Sequence, residues 1–309
     1  MDPLRHHYFK YEKDIEAECY THKILGFRYN WHSEMFEINI VLRGSMEFCC
    51  GGKTFIMEEN DINIVNPGVG HASFSLQPDT VALVLHIPSR SFRPFMEKGS
   101  YCDFDIATDA ESRNEDRFRE FRYLCAKIVS SFSEPEQLRQ SMQTGAWSLL
   151  ISSMFTRLDP VIGKKAAGFD TAEREKMTPI IRYIEQHYAE KVTLEDLANE
   201  FSYNRTYLSS AFKKSVGVGI YDYLTKIRFQ HALHELGSTD KTLTAIALDN
   251  GYPELKTFNK VFMNNFHILP SEYRKVVQEE MKTLPLHSRT YVPIDDPMVV
   301  RKMNEYMTF

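Results

Sequence analysis

The run Thr193-Leu194-Glu195-Asp196-Leu197-Ala198 returns 49 residues on (193 to 242) as Thr242-Leu243-Thr244-Ala245-Ile246-Ala247. An internal repeat constrains a fold strongly, because each copy must build the same local unit. In the first copy Leu194, Leu197, Ala198 and Phe201 recur at helical spacing and form one apolar stripe. Thr193 stands just before the stripe with Asp196 three residues on, a variant of the capping box. Asn204 can cap a second helix whose inner side carries Tyr207, Leu208, Ala211 and Phe212. In the second copy Gly251-Tyr252 replaces Ser202-Tyr203, and Phe258 and Phe262 answer Leu208 and Phe212 with one extra residue in the turn. Two short helices joined by about three residues match the helix-turn-helix, whose second helix enters the major groove of DNA. A helical pattern from Ile220 to Leu236 joins the two units.

With those residues in place, Met177–Lys275 resembles the DNA-binding domain of the AraC/XylS family of bacterial transcription regulators. The most specific part runs from Gly251-Tyr252 through Phe258-Asn259-Lys260-Val261-Phe262 to Leu269-Pro270-Ser271-Glu272-Tyr273-Arg274. The resemblance implies that Thr206, Ser209 and Ser210 stand where the first reading helix touches bases. Arg205 and Lys213 flank them as phosphate contacts. The family often has arginine where Ser210 stands, and serine or threonine discriminates bases poorly. In the second reading helix Lys256, Asn259 and Lys260 point outward, and Asn259 can pair with adenine in a bidentate manner. Glu254 stands at that helix entry, where a capping Ser or Asp is usual.

The N-terminal part has a different period. Phe36–Leu42 alternates, with Phe36, Ile38, Ile40 and Leu42 on one face and Glu37, Asn39 and Val41 on the other. Strands are expected at 45–50, 53–57, 62–65, 72–75 and 81–86, separated by turn residues such as Gly51-Gly52 and Asn66-Pro67-Gly68. Many short strands suggest a barrel or jelly roll. Gly26, His32, Glu34, Glu37 and Gly44 are spaced like the first cupin motif, and Asn66-Pro67-Gly68 with His71 is similar to the second. Glu34 replaces a motif histidine and Ser75 a motif asparagine. The candidate ligand-binding residues are Tyr29, Trp31, His32, Glu37, Asn39 and His71. Such groups can hold a polar ligand amid aromatics, a divalent metal, or only one another. The family resemblance implies a small-molecule effector with neither metal nor cofactor, and the Glu37–Asn39 pair suits a hydroxyl-rich one such as a sugar.

Between these parts Phe118, Phe121, Cys125, Ile128 and Phe132 are spaced 3, 4, 3, 4, a seam that suits a helical dimer interface. Pro160–Thr171 has the small-residue content of a linker. The expected organisation is a jelly-roll, cupin-like effector domain (1–105), a helical dimerisation region (106–160) and a linker (161–175). An all-α double helix-turn-helix domain (176–275) and an extension (276–309), either packed or frayed, complete it.

Charge sharpens the division. Residues 1–160 hold 17 Lys+Arg against 23 Asp+Glu, a balance of −6, whereas residues 176–282 hold 14 against 13, a balance of +1. A weakly basic reader implies modest non-specific affinity and reliance on paired sites. No apolar run approaches the ~18 residues of a membrane span. The polar N-terminus lacks a signal-peptide pattern, and five irregularly spaced cysteines suit reduced thiols in the cytoplasm. A cytoplasmic, homodimeric, non-enzymatic regulator is therefore expected, with double-stranded DNA, a small effector and RNA polymerase as partners. Two rivals remain open: a cupin-type metal-dependent enzyme with an accessory helical domain, and a regulator answering to a partner protein.

Overall fold

The computed structural model describes residues 7–12, 15–24, 26–30, 32, 34–163, 171–281 and 291–308. The first part is built from β1 (His7–Glu12), β2 (Ile15–Lys23), β3 (Gly26–Asn30), β4 (Met35–Arg43), β5 (Ser45–Cys50), β6 (Lys53–Glu58), β7 (Ile62–Val65), β8 (His71–Ser75) and β9 (Val81–Pro88). They form one sheet in the order β1-β2-β9-β4-β7 and another in the order β3-β8-β5-β6. The alternation of β4 explains how they stack. Phe36, Ile38, Ile40 and Leu42 join Leu83, Leu85 and Ile87 of β9 in a core shared with helices. On the opposite face Val41 and Ala82 meet Met46, Phe48 and Met57 of the second sheet. Both faces of β4 are thus covered, and residues 36–42 are buried throughout. Among the described residues no ladder joins the two sheets, so the expected jelly-roll barrel stands here as two open sheets rather than a closed barrel.

The helical face of the first sheet is covered by α1 (Asp116–Ser131) and α2 (Glu136–Arg157). The residues of the expected dimer seam lie on this covered face. Phe118, Phe121, Cys125 and Ile128 are buried and Phe132 is half-buried, all in the core that α1 shares with the sheet. A 3-4 spacing records only that one face is covered. Here the chain's own sheet and α2 cover Phe118, Phe121, Cys125 and Ile128, while Phe132 stays half-buried.

The expected linker begins too early. Val161–Gly163 is a strand, β11, paired with β10 (Tyr101–Asp103), and α3 already starts at Thr171 (Thr171–Gln186), while residues 164–170 lie outside the described set. The C-terminal extension is packed in its described part. β12 (Tyr291–Val292) pairs with β2, and α10 (Pro297–Met307) sets Val299 and Met303 into the core beside α1.

The reader comprises α3, α4 (Leu194–Glu200), α5 (Arg205–Val216), α6 (Ile220–Ser238), α7 (Leu243–Asp249), α8 (Leu255–Phe266) and α9 (Pro270–Met281). Its two units match in detail. Thr193 and Thr242 each accept a hydrogen bond from the backbone three residues on, at 3.1 Å in both, and Asp196 completes the box in the first. Ser202 and Gly251 both sit at positive φ, 55° and 77°, and Tyr203 and Tyr252 each donate to the carbonyl five residues back at 2.9 Å. Only glycine fits the second turn. A Cβ on Gly251 would lie 2.8 Å from the Ala189 carbonyl and 2.8 Å from Arg228 Nε, in a left-handed backbone. Gly251→Ala should therefore destabilise the reader by roughly 1–3 kcal/mol in a thermal or urea melt. An unchanged midpoint would contradict this packing.

Candidate effector site and DNA-reading helices

The two sheets trap a polar cluster between them. Glu18, His86 and Glu37 are paired across β2, β9 and β4, so all three side chains share the face turned to the second sheet. Glu37 Oε2 lies 3.2 Å from His32 Nε2, 3.1 Å from His71 Nε2 and 3.1 Å from His86 Nε2. Its other oxygen accepts from Asn39 Nδ2 at 2.9 Å. Behind the rings, His86 Nδ1 is 2.8 Å from Glu18 Oε2 and His71 Nδ1 is 3.2 Å from the Val69 carbonyl. His71 also stacks on Phe48, with centroids 6.1 Å apart and planes 8° from parallel. Glu37, Asn39, His71 and His86 are buried, and His32 is partly exposed.

Burial alone would raise the Glu37 carboxyl, but the charge of His71 and hydrogen bonds from His32, His71 and His86 outweigh it and hold it well below its usual range. For His71 burial acts downward, and the facing Glu37 carboxylate more than reverses it, so the imidazolium is favoured. Charge is therefore concentrated where water is scarce, which is costly unless paired.

Of the residues expected from sequence, His32, Glu37, Asn39 and His71 come together. Tyr29 does not join them; it faces the reader instead. Trp31 lies outside the described residues, and Glu34 is exposed, away from the cluster despite its motif position. His86 and Glu18 escaped notice, although His86 in VALVLHIP is a lone polar residue in an apolar strand, the same signal that marked Glu37. Nothing in this geometry supports the expectation of a sugar. Glu37 and Asn39 are buried and bonded to each other, and Glu37 also faces imidazoles.

On the reader, Arg205, Thr206, Ser209, Ser210 and Lys213 of α5 are exposed along one side, while Leu208, Ala211 and Phe212 are buried. Tyr207, expected inside, is 40% exposed. Asn204 caps α5 by accepting from Thr206 N at 2.8 Å. On α8, Lys256 and Lys260 are exposed, whereas Asn259 is half-buried and its Oδ1 has no hydrogen-bond partner. Glu254 occupies the N-cap of α8 without a side-chain capping bond. Asn259 must swing outward to reach a base, and a buried oxygen without a partner makes that swing cheaper.

Two family descriptions match this chain: an AraC-like ligand binding domain over residues 17–100 and a helix-turn-helix domain over residues 197–276. The uncharacterized HTH-type transcriptional regulator YisR of Bacillus subtilis (strain 168) is 30% identical over 259 residues, covering 80% of this chain and 88% of YisR. The chain belongs to the AraC-type helix-turn-helix transcription regulators. An uncharacterized HTH-type regulator of Staphylococcus aureus (strain COL) is 25% identical over 249 residues, and the chain spans only about a third (32%) of its length. Among solved structures, ToxT from Vibrio cholerae aligns with 86% of this chain at 13% identity and a TM-score of 0.35.

In this AraC-type chain the ligand-binding part touches the reader directly. Tyr29 Oη donates to the Ser215 carbonyl at 2.8 Å, and Tyr223 Oη accepts from Tyr29 N at 3.3 Å while donating to Glu185 at 2.8 Å. Lys226 pairs with Glu47 at 2.8 Å and lies 4.9 Å above the Phe74 ring. Thr54 donates to the Gly217 carbonyl at 3.2 Å, and a side chain on Gly52 would collide with the Lys214 carbonyl. Tyr29, Cys49, Ala72 and Phe74 share one apolar cluster with Leu208, Phe212 and Tyr223.

Proposed function

We propose that the chain is a DNA-binding transcription regulator whose sheet-rich part receives an effector at the Glu37 cluster and whose two reading helices are presented to neighbouring DNA sites according to its state. The observation that carries this is strand β8. Its His71 side chain meets Glu37, while the next residue, Ala72, and then Phe74 pack against the reader. Successive residues of a strand face opposite ways, so a shift of His71 moves the surface on which α5 and α6 rest. The Lys226–Glu47 pair, about four-fifths buried at both ends, ties the same strand pair to α6. A role on DNA would put the protein in the cytoplasm, and its relatives are named as transcriptional regulators.

The reading helices make separable predictions. Asn259→Ala should relax preference at one base pair at a cost of roughly 1–3 kcal/mol, because its amide can pair with adenine through two hydrogen bonds. Arg205, whose pairing with Glu195 at 3.8 Å is exposed, holds a phosphate instead. Arg205→Ala should weaken all sequences alike and flatten the salt dependence. Equal losses on selected and random DNA for both variants, measured by fluorescence anisotropy across salt concentrations, would sink the assignment.

A further inference from the structure

We infer that the cavity between α1 and α10 binds a small oxyanion, the carboxylate or phosphate group of a metabolite, on the open edge of Arg122. This is a second site, apart from the Glu37 cluster. α1 and α10 cover one face of the first sheet, and Glu37 stands on the other. The cavity measures about 330 Å³, and its lining includes Asn60, Arg119, Arg122, Lys302, Glu305 and Tyr306. That volume falls at the lower end of the about 300–1,000 Å³ usual for ligand pockets. Arg119 and Arg122 come from α1, Asn60 from the turn between β6 and β7, and the rest from the C-terminal extension. The cavity therefore exists only because the extension returns to α1. Both helices lie outside the residues that the two family descriptions match.

Arg122 decides the chemistry. It is 5% exposed, and its Nη1 donates to the Asn60 and Arg113 carbonyls, each at 2.9 Å. Nε and Nη2 have no protein partner among the described residues. These two groups form one edge of the planar guanidinium, an edge that takes a carboxylate or phosphate through two parallel hydrogen bonds. No carboxylate of the described residues lies within ion-pair distance of Arg122. Asp61 acts on it from farther off and is already held by Arg113 at 3.1 Å and Thr108 at 2.9 Å. Burial pushes the guanidinium below the usual arginine value, the mark of a cation short of counter-charge. A buried charge without a partner is costly, so an anion gains more here than on a surface arginine. The neighbouring charges are largely spent. Lys302 meets Glu59 and, at 3.1 Å, Glu305, and Arg119 faces Asp116 at 3.7 Å. The open edge is fixed before any ligand arrives. Asn60, at φ 75°, accepts from Nη1 on its carbonyl and from the Tyr306 hydroxyl on Oδ1 at 2.9 Å, and the guanidinium lies 5.6 Å from the Tyr306 ring. The Asn304 and Glu305 carbonyls, which would repel an anion, are taken by Thr308.

The test is calorimetric titration of the full chain at low ionic strength, with malonate as a dicarboxylate and separately with inorganic phosphate. One anion per chain is expected. Binding of malonate alone names a carboxylate ligand, of phosphate alone a phosphorylated one, and of both a general oxyanion site; each supports the cavity. Arg122→Gln should weaken binding roughly 10- to 100-fold through the loss of charge-assisted hydrogen bonds. Arg122→Lys keeps the charge without the two-pronged edge and should not restore it. Because Arg122 also joins two turns, two exposed residues of the lining report on the anion with the fold left alone. Arg119→Glu should weaken binding about tenfold or more, and Glu305→Gln, which removes a lining carboxylate, should tighten it about fivefold. A cavity that only packs α10 against α1 would show neither change. Circular dichroism confirms the fold of each variant. Folded wild type that takes up neither anion, or a folded Arg122→Gln variant that binds as tightly as wild type, overturns the site.

Discussion

Glu37→Ala is expected to destabilise the sheet-rich part by roughly 3–5 kcal/mol in chelator-treated protein, the cost of removing one partner from a buried charged network. The side chain is 9% exposed and accepts from Asn39 besides facing three imidazoles. Without it, His71 and His86 lose their common acceptor between two sheets that admit little water. Glu37→Gln keeps the shape but not the charge, and should lose less, about 1–3 kcal/mol. Urea unfolding followed by circular dichroism checks both, with an unchanged slope showing that stability alone has moved. A loss below about 1 kcal/mol for the alanine variant would mean that the cluster holds no buried charge.

The second large effect concerns α1. Phe121 is 1% exposed and packs in the core beneath the first sheet. Phe121→Ala should cost roughly 3–5 kcal/mol through lost burial and the cavity left behind. Phe121→Asp would bury an unpaired charge in the same place and should leave the domain unfolded and aggregation-prone. Size-exclusion chromatography with circular dichroism distinguishes the outcomes. A folded, soluble monomer from Phe121→Asp would show instead that α1 is an interface between copies.

Local rules made the reader legible. Thr193 and Thr242 cap as their spacing implies, Asn204 caps α5, and the 49-residue shift survives down to matching turn hydrogen bonds. The same holds for β4, whose alternation correctly divided Phe36, Ile38 and Ile40 from Glu37 and Asn39. What sequence could not show was which element covers which face. The seam at Phe118–Phe132 records only that something packs there, and a sheet satisfies it as well as a partner chain. Likewise His86 and Glu18 join Glu37 only through strand register, since β2, β9 and β4 are neighbours in space and not in sequence. The extension at 291–308 looked unassignable because its anchor, β2, lies at the other end of the chain.

The claim that the duplicated units read DNA as a pair is tested most directly by footprinting the full chain on a sequence selected for tight binding. Two adjacent protected stretches are expected, centred roughly one helical turn of about 10–10.5 base pairs apart, one per reading helix. Ser210→Glu, which places a carboxylate on the exposed side of α5, should erase one stretch and spare the other. Lys260→Glu on α8 should do the reverse. A single protected stretch that neither substitution alters would contradict the account.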